Sequence, residues 1–321
     1  MYLVLFLSSM LFGILGAWVI KAHGPRFGFV DHPNIRSSHK SPTPKGGGIG
    51  ILAAFIFSAL ILKISYSFWV PTTFLALMSF LGDRFDLSPR SRLPFQFIAA
   101  FFLLLPIFDI WPLSSILYFL FLVLFITATA NWYNFMDGID GIAGIAGIVG
   151  FSLLAVFNTI NAGDNRFTVL LICITLSCLG FLPFNIPEAK VFMGDVGSIM
   201  LGFIFAAMVI ILSKSFFDFV CLAGFLFPFY ADEFITMAIR IKDGENLLKP
   251  HRRHFYQILT NEMGISHWKV SIGYGILQIT VGISVLLGRT FGLYTVLSLL
   301  FFFFCGFILI NHIVRIRLLS K

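Results

Sequence analysis

Apolar residues run through this chain in long uninterrupted blocks, and polar residues collect in the short gaps between them. About 20 apolar residues are needed to cross roughly 30 Å of hydrocarbon. By that measure the pattern predicts eleven transmembrane helices, over residues 2–20, 46–64, 68–82, 93–108, 113–132, 138–158, 167–184, 197–212, 216–237, 268–287 and 292–312. The third, fourth and eighth runs are short and borrow from their flanks. Residues 2–20 have no basic segment before them and no clear small-residue cleavage site, so they are expected to be a retained helix and not a signal peptide.

The gaps are unequal. On one side they are brief, such as "KISYS" and "LSKSFFD". On the other, five segments hold nearly all the polar sequence: 21–45, 82–92, 131–140, 185–196 and 238–267. Of the 22 Lys and Arg residues, 18 lie on that richer side. Positive residues stay in the cytoplasm, so the N-terminus is expected in the periplasm and the C-terminus in the cytoplasm. With no linker or low-complexity tract, residues 1–321 are expected to form a single all-α, polytopic membrane domain.

Composition narrows the class. The chain is 58% hydrophobic and only 12% charged, against about 25% charged in a soluble domain, which excludes a water-soluble globule. The net charge of +7 sits on the inner face, where it suits membrane lipid headgroups and anionic substrates and does not point to nucleic acid. Cys173, Cys178, Cys221 and Cys305 fall within apolar runs without metal-type spacing and are expected to be core residues. A transporter or lipid flippase would place charges near mid-membrane and show duplicated halves. Here the acids and histidines gather at one rim, which points to chemistry at the membrane surface.

Each rim segment carries candidate chemistry. "DHPNIRSSHKSPTPKGGGIG" runs from mixed basic residues into three glycines at a helix start, a possible cradle for phosphate or simply a positive-inside loop. In "LGDRFDLSPRSRLPFQ", Asp83 and Asp86 share one face of a helical turn, with Arg84, Arg90 and Arg92 around them. In "NWYNFMDGIDGIAG", Asn134, Asp137 and Asp140 step by three and form one polar strip that enters the sixth helix. Glycines 138, 141, 144, 147 and 150 keep the same step, which permits close helix packing. An acid inside a membrane helix is a functional candidate. Asp195 opens the eighth helix, placed for a metal or for capping. His251, Arg252, Arg253 and His254 suit a multiply charged anion. Together these residue types match a site where Mg²⁺ bridges a diphosphate, for phosphoryl or phosphosugar transfer on a membrane-bound substrate.

The strings "NFMDGIDGIAG", "FNIPEAKVFMGDVGS" and "HRRHFYQ", with "PTPKGGG" upstream and "DLSPRSRL" between, closely resemble the bacterial polyprenyl-phosphate N-acetylhexosamine-1-phosphate transferases. That superfamily includes phospho-N-acetylmuramoyl-pentapeptide transferase and the initiating enzymes of O-antigen synthesis. The resemblance spans residues 31–257. It implies transfer of HexNAc-1-phosphate from a UDP-N-acetylhexosamine to undecaprenyl phosphate, with release of UMP, using Mg²⁺ or alternatively Mn²⁺. A homodimer is compatible with it.

Carried over residue by residue, the resemblance makes Asp195 the Mg²⁺ ligand, joined by Asn134. It places Asp137 and Asp140 in the nucleotide pocket with Asp140 near the uracil, and sets Asn185 and Phe192 on the nucleobase, Phe192 by stacking. It turns His251 and His254 toward the diphosphate, with Arg252 and Arg253 between them. Lys40, Thr43 and Lys45 border the lipid phosphate. One departure concerns the second segment: the family's usual pair of adjacent acids is reduced here to Gly82 and Asp83. A phosphate monoester with a second pKa of about 6 is largely dianionic at neutral pH, so Asp83 is kept as a site residue without an assigned base role. Peptidoglycan lipid I synthesis and a polyprenyl-diphosphate hydrolase are the alternative enzyme classes; the peptidoglycan branch usually shows three consecutive histidines, where this chain has "HRRH".

Overall fold

The structure, a computed structural model, describes residues 1–33, 38, 41–85, 87–107, 113–246 and 251–319. Among these, thirteen α-helices follow one another: α1 (Tyr2–His23), α2 (Ile49–Ile61), α3 (Tyr66–Phe85), α4 (Pro89–Leu104), α5 (Leu113–Met136), α6 (Ile142–Ile160), α7 (Asn165–Phe181), α8 (Asp195–Leu212), α9 (Phe216–Ala223), α10 (Phe227–Lys242), α11 (Phe255–Asn261), α12 (His267–Gly288) and α13 (Leu293–Leu319). Each expected apolar run overlaps one or two of these helices. Among the described residues, eight stretches are long and apolar enough to cross a membrane, one of them the continuous segment Phe216–Lys242 that joins α9 to α10 through a 3-10 turn. The protein is an all-α, multi-pass membrane protein.

Helix α8 is the central post. Every residue from Val196 to Val209 is buried, and α8 packs against α2, α3, α5 and α6. Helix α1 packs on α2 and α7, α7 on α6, and α12 on α6. At the α2–α8 crossing Gly48 faces Gly197, where an added Cβ on Gly48 would stand 2.6 Å from the Gly197 nitrogen. Such small residues let two backbones approach closely enough to share one site.

Three local features depart from the expected pattern. The strip Asn134–Asp137–Asp140 does not lie on one helix: α5 ends at Met136 and α6 begins only at Ile142. Gly141 takes φ +87°, a left-handed conformation that breaks the helix and suits glycine. Asn134 therefore sits on the last turn of α5, and both acids lie in the turn that follows. A short additional helix, α11, follows the basic segment. Finally, the first polar segment forms an antiparallel two-stranded ribbon, β1 (Val30–Asp31) with β2 (Thr43–Pro44).

The glycine stretch is not a phosphate cradle. The amides of Gly46 and Gly47 both donate to the Phe192 carbonyl, at 3.2 and 2.9 Å, and Gly48 N–H donates to Met193 O at 2.9 Å. Phe192 N–H in turn donates to Pro44 O at 2.8 Å. The glycines thus stitch the first polar segment to the fourth, and their N–H groups are spent in doing so.

Candidate active site

Four of the five polar segments, together with helix ends from the fifth, meet around one cavity of about 310 Å³. Its walls include Lys45, Asp83, Asn134, Asp137, Asp140, Asn185, Phe192 and Asp195, all expected site residues, and also Arg92, Gln257 and His267.

The positive end of α8 organises the acidic side. A helix N-terminus presents unpaired N–H groups and favours carboxylates. Asp195 is the first residue of α8, and the Val196 N–H donates to Asp83 Oδ2 at 3.2 Å. Asn134 reaches across from α5, donating to Asp195 Oδ1 at 2.9 Å and to Ser198 Oγ at 2.8 Å. Arg92, from α4, forms an ion pair with Asp195. Gly82 lies under this arginine: a Cβ there would stand 3.1 Å from Arg92 Nε, so the residue that stands in for the family's first acid borders the guanidinium.

Burial dominates the electrostatics. It pushes the Asp83 carboxyl up to about 6, with the nearby Asp31 charge adding to the rise and the Val196 amide, Arg92 and Lys45 opposing it. Burial also raises Asp137 well above the usual carboxylate range, with the charges of Asp83 and Asp140 adding to the effect. Asp137 therefore lies electrostatically between the other two acids. A cation placed among them would relieve this crowding. The available donors are carboxylate and amide oxygens, which suit a hard divalent ion such as Mg²⁺. Among the described residues no group of three or more His, Cys, Asp or Glu is placed to hold a metal ion by itself.

Also lining the cavity, His267 at the start of α12 sets its Nδ1 3.1 Å from Asp140 Oδ2. Ser271, one turn on, donates to the Asp140 carbonyl at 2.7 Å. Asn185 lines the cavity, but its amide is engaged with the backbone: Oδ1 accepts from Gly141 N–H at 2.7 Å and Nδ2 donates to Val191 O at 2.9 Å. Its evident work is to hold the α5–α6 turn against the fourth segment.

Of the remaining expected residues, Thr43, His251, Arg252, Arg253 and His254 are not among those lining the cavity. Thr43 is buried in the ribbon and its hydroxyl donates to Ser41 O at 3.1 Å. Lys40 and Asp86 lie outside the described residues. Arg252 is exposed, and Arg253 pairs with Asp243 and with Glu245. His254 is almost fully buried between two carboxylates of α10, its Nδ1 3.6 Å from Asp232 and its Nε2 3.6 Å from Glu233. Burial pulls the His254 imidazole down, yet the Asp232 and Glu233 charges more than offset it and leave it raised. Neighbouring His251 is pushed down to about 3 by burial and by the positive charges of His254, Arg240 and Arg253. The histidine segment meets the cavity through Gln257, whose Oε1 accepts from the His254 N–H.

Comparison with known proteins fits this arrangement. Residues 65–213 match the family described as Glycosyl transferase family 4. The undecaprenyl-phosphate alpha-N-acetylglucosaminyl 1-phosphate transferase of Thermotoga maritima is 27% identical over 253 residues, covering 78% of this chain and 79% of that protein. The phospho-N-acetylmuramoyl-pentapeptide-transferase of Lacticaseibacillus paracasei is 29% identical over 244 residues, 67% of this chain and 72% of the relative. The decaprenyl-phosphate N-acetylglucosaminephosphotransferase of Mycolicibacterium smegmatis is 30% identical over 218 residues, 57% of this chain and 53% of the relative. Over the matched stretch the chain is similar to glycosyl transferase family 4, and it is a glycosyl-1-phosphate transferase.

Arg92, Gln257 and His267 were not singled out as site residues from the sequence. Arg92 was legible only as one of several loop arginines. Gln257 closes the "HRRHFYQ" string, which was the available signal for it. His267 is a lone polar aromatic residue at a helix start, where its partner 127 positions away gives no local sign.

Proposed function

We propose that this protein transfers an N-acetylhexosamine-1-phosphate from a UDP-N-acetylhexosamine to undecaprenyl phosphate at the cytoplasmic face of the bacterial inner membrane. A non-bridging oxygen of the lipid phosphate attacks the β-phosphorus of the donor. The Pα–O–Pβ bond breaks, UMP leaves, and undecaprenyl-diphosphate-sugar remains in the membrane. The N-terminus is then periplasmic and the C-terminus cytoplasmic, as the distribution of Lys and Arg favours.

The observation that carries this reading is the convergence of Asp83, Asn134, Asp137 and Asp195 with Lys45 and Arg92 on one cavity. Asp195 and the amide oxygen of Asn134 would hold Mg²⁺, which would supply charge neutralisation for the donor diphosphate. Lys45 and Arg92 bring positive charge to the same space, suited to the anionic lipid phosphate and the diphosphate. Asp137 and Asp140 line the nucleotide arm, and Phe192 offers a ring for the base to stack on. A role for His251, Arg252, Arg253 and His254 toward the diphosphate rests on family resemblance, while the buried pairing of His254 supports a part in anchoring that segment.

Initiation of O-antigen or another surface polysaccharide is favoured over lipid I synthesis by "HRRH" in place of three histidines. The test is UMP release from UDP-N-acetylglucosamine by the purified protein with undecaprenyl phosphate and Mg²⁺, repeated across a panel of UDP-sugars. Release should require both lipid and metal and should vanish in Asp195→Asn. Release that survives chelation or this substitution would overturn the site, and inorganic phosphate as the product would indicate a hydrolase.

A further inference from the structure

We infer that His267 reads the ring N–H edge of the donor's nucleobase and thereby selects a uracil-type base. This rests on the nucleotide-sugar reading above and adds a residue beside Asp140, which the family resemblance sets near the uracil.

The cavity has two chemically distinct walls. Lys45, Asp83, Arg92, Asn134 and Asp195 make one, crowded with full charges and suited to phosphates. Asp140, Asn185 and His267 make the other, and Asp137 stands between them. A base recognised on the second wall needs directional partners that are not already spent. Asn185 has both heavy atoms of its amide tied to backbone groups. The Asp140 carbonyl is taken by Ser271, and its Oδ2 faces the imidazole. His267, with 21% of its side chain exposed, has only Nδ1 engaged among the described residues, leaving Nε2 at the other edge of its ring.

The partner of Nδ1 decides what Nε2 can do. Nδ1 lies 3.1 Å from Asp140 Oδ2, while the Asp140 N–H points at it only from the outer limit of a hydrogen bond, 3.5 Å, so the closer carboxylate decides. Two lone pairs cannot face each other at the shorter distance, so the imidazole proton sits on Nδ1 and is donated to the carboxylate. In the neutral ring Nε2 is then an acceptor. A carboxylate that sets a histidine tautomer in this way is a familiar device for orienting the ring. An acceptor on the wall favours a base that presents a ring N–H. Uracil carries that hydrogen at N3, while cytosine has a bare lone pair there. Sites built to receive a hydrogen bond discriminate strongly against ligands that lack the donor. Because the contact is to the base and not to the reacting phosphorus, its loss should raise the donor KM and leave kcat nearly unchanged.

Binding of UMP and CMP to the purified full-length protein in detergent, measured by calorimetry, tests this. Wild type should bind UMP at least about tenfold more tightly than CMP, the worth of one hydrogen bond. His267→Ala should lose about tenfold in UMP affinity and bind the two nucleotides within about twofold of each other. His267→Gln, whose amide oxygen can accept, should keep part of the UMP preference and serves as the folded control if the alanine variant is unstable. A UMP preference unchanged in both variants overturns the assignment of His267. Failure of wild type to bind UMP, or to release it in the transfer assay, overturns the donor reading itself.

Discussion

Asn134 on the last turn of α5 donates to Asp195 on the first turn of α8 at 2.9 Å, and its second amide hydrogen goes to Ser198 at 2.8 Å. Both N–H directions are thereby fixed, which turns the amide oxygen to the opposite edge. One residue thus orients the principal acid of the site, with both hydrogens of its amide engaged. This joins two helices whose sequences are about sixty residues apart.

Removing that orientation should weaken metal use before it weakens folding. Asn134→Ala is expected to raise the Mg²⁺ concentration for half-maximal UMP release by about 10- to 100-fold, the usual cost of losing a group that orients a ligand. Mn²⁺ binding followed by electron paramagnetic resonance should weaken in parallel. Equal metal affinity in the two proteins would remove Asn134 from the metal site.

The raised Asp83 carboxyl has a consequence for stability. Its ordinary value is 3.8 and burial lifts it to about 6, so the folded state binds this proton more tightly than the unfolded state. The stabilisation is complete below about pH 4 and is lost as pH rises through 6, with an upper bound of roughly 3 kcal/mol. His251 acts with the opposite sign, because its lowered value makes it unfavourable below its ordinary 6.5. In EDTA the wild type should therefore lose thermal stability between pH 5 and 7.5 by more than Asp83→Asn does. A pH profile unaltered by the substitution would refute this.

Much of the architecture was legible because apolar runs of this length have few alternatives, and the acids stood out because burying them is costly. Asp83, Asn134, Asp137, Asp140 and Asp195 do share one cavity. What the sequence concealed were backbone decisions and distant pairings. The left-handed Gly141 that ends the α5–α6 strip looks like any other glycine in a regular series. The glycine stretch at 46–48 looked ready for an anion, because the carbonyls of Phe192 and Met193 that occupy its amides are carried by a segment far along the chain. His254 looked available for a ligand because its partners Asp232 and Glu233 sit within an apolar helix, separated from it by a basic loop.

Asp232 is the anchor of that histidine segment. Fully buried, it accepts from Phe255 N–H at 2.8 Å, Tyr256 N–H at 3.2 Å and Tyr274 Oη–H at 2.7 Å, and it faces His254. Asp232→Ala would strand these donors in an apolar interior and remove half of the charge pairing of His254. Breaking a buried pair of this kind costs about 3–5 kcal/mol. The variant should show a large fall in thermal stability in detergent, whereas Arg253→Ala, on an exposed pair worth about 1 kcal/mol or less, should change it little. Comparable losses in the two variants would mean that the segment is not held through Asp232.

The α2–α8 crossing should be sensitive to a single methyl group. A Cβ on Gly48 would stand 2.6 Å from the Gly197 nitrogen and 3.0 Å from the Met193 carbonyl oxygen, and both of these are backbone atoms that cannot swing aside. Gly48→Ala must therefore push the helices apart or tilt α2, at a cost of about 1–3 kcal/mol. Because Gly46 and Gly47 hold Phe192 through their amides, the same shift moves Lys45 and Phe192 on the cavity wall, so activity should fall along with stability. Gly197→Ala acts on the same gap, where a Cβ would lie 3.0 Å from the Gly48 Cα. Once one substitution has opened the crossing, the second has less left to displace. The double variant should then lose less stability than the two single losses added together, whereas strictly additive losses would show that the two glycines act at separate contacts.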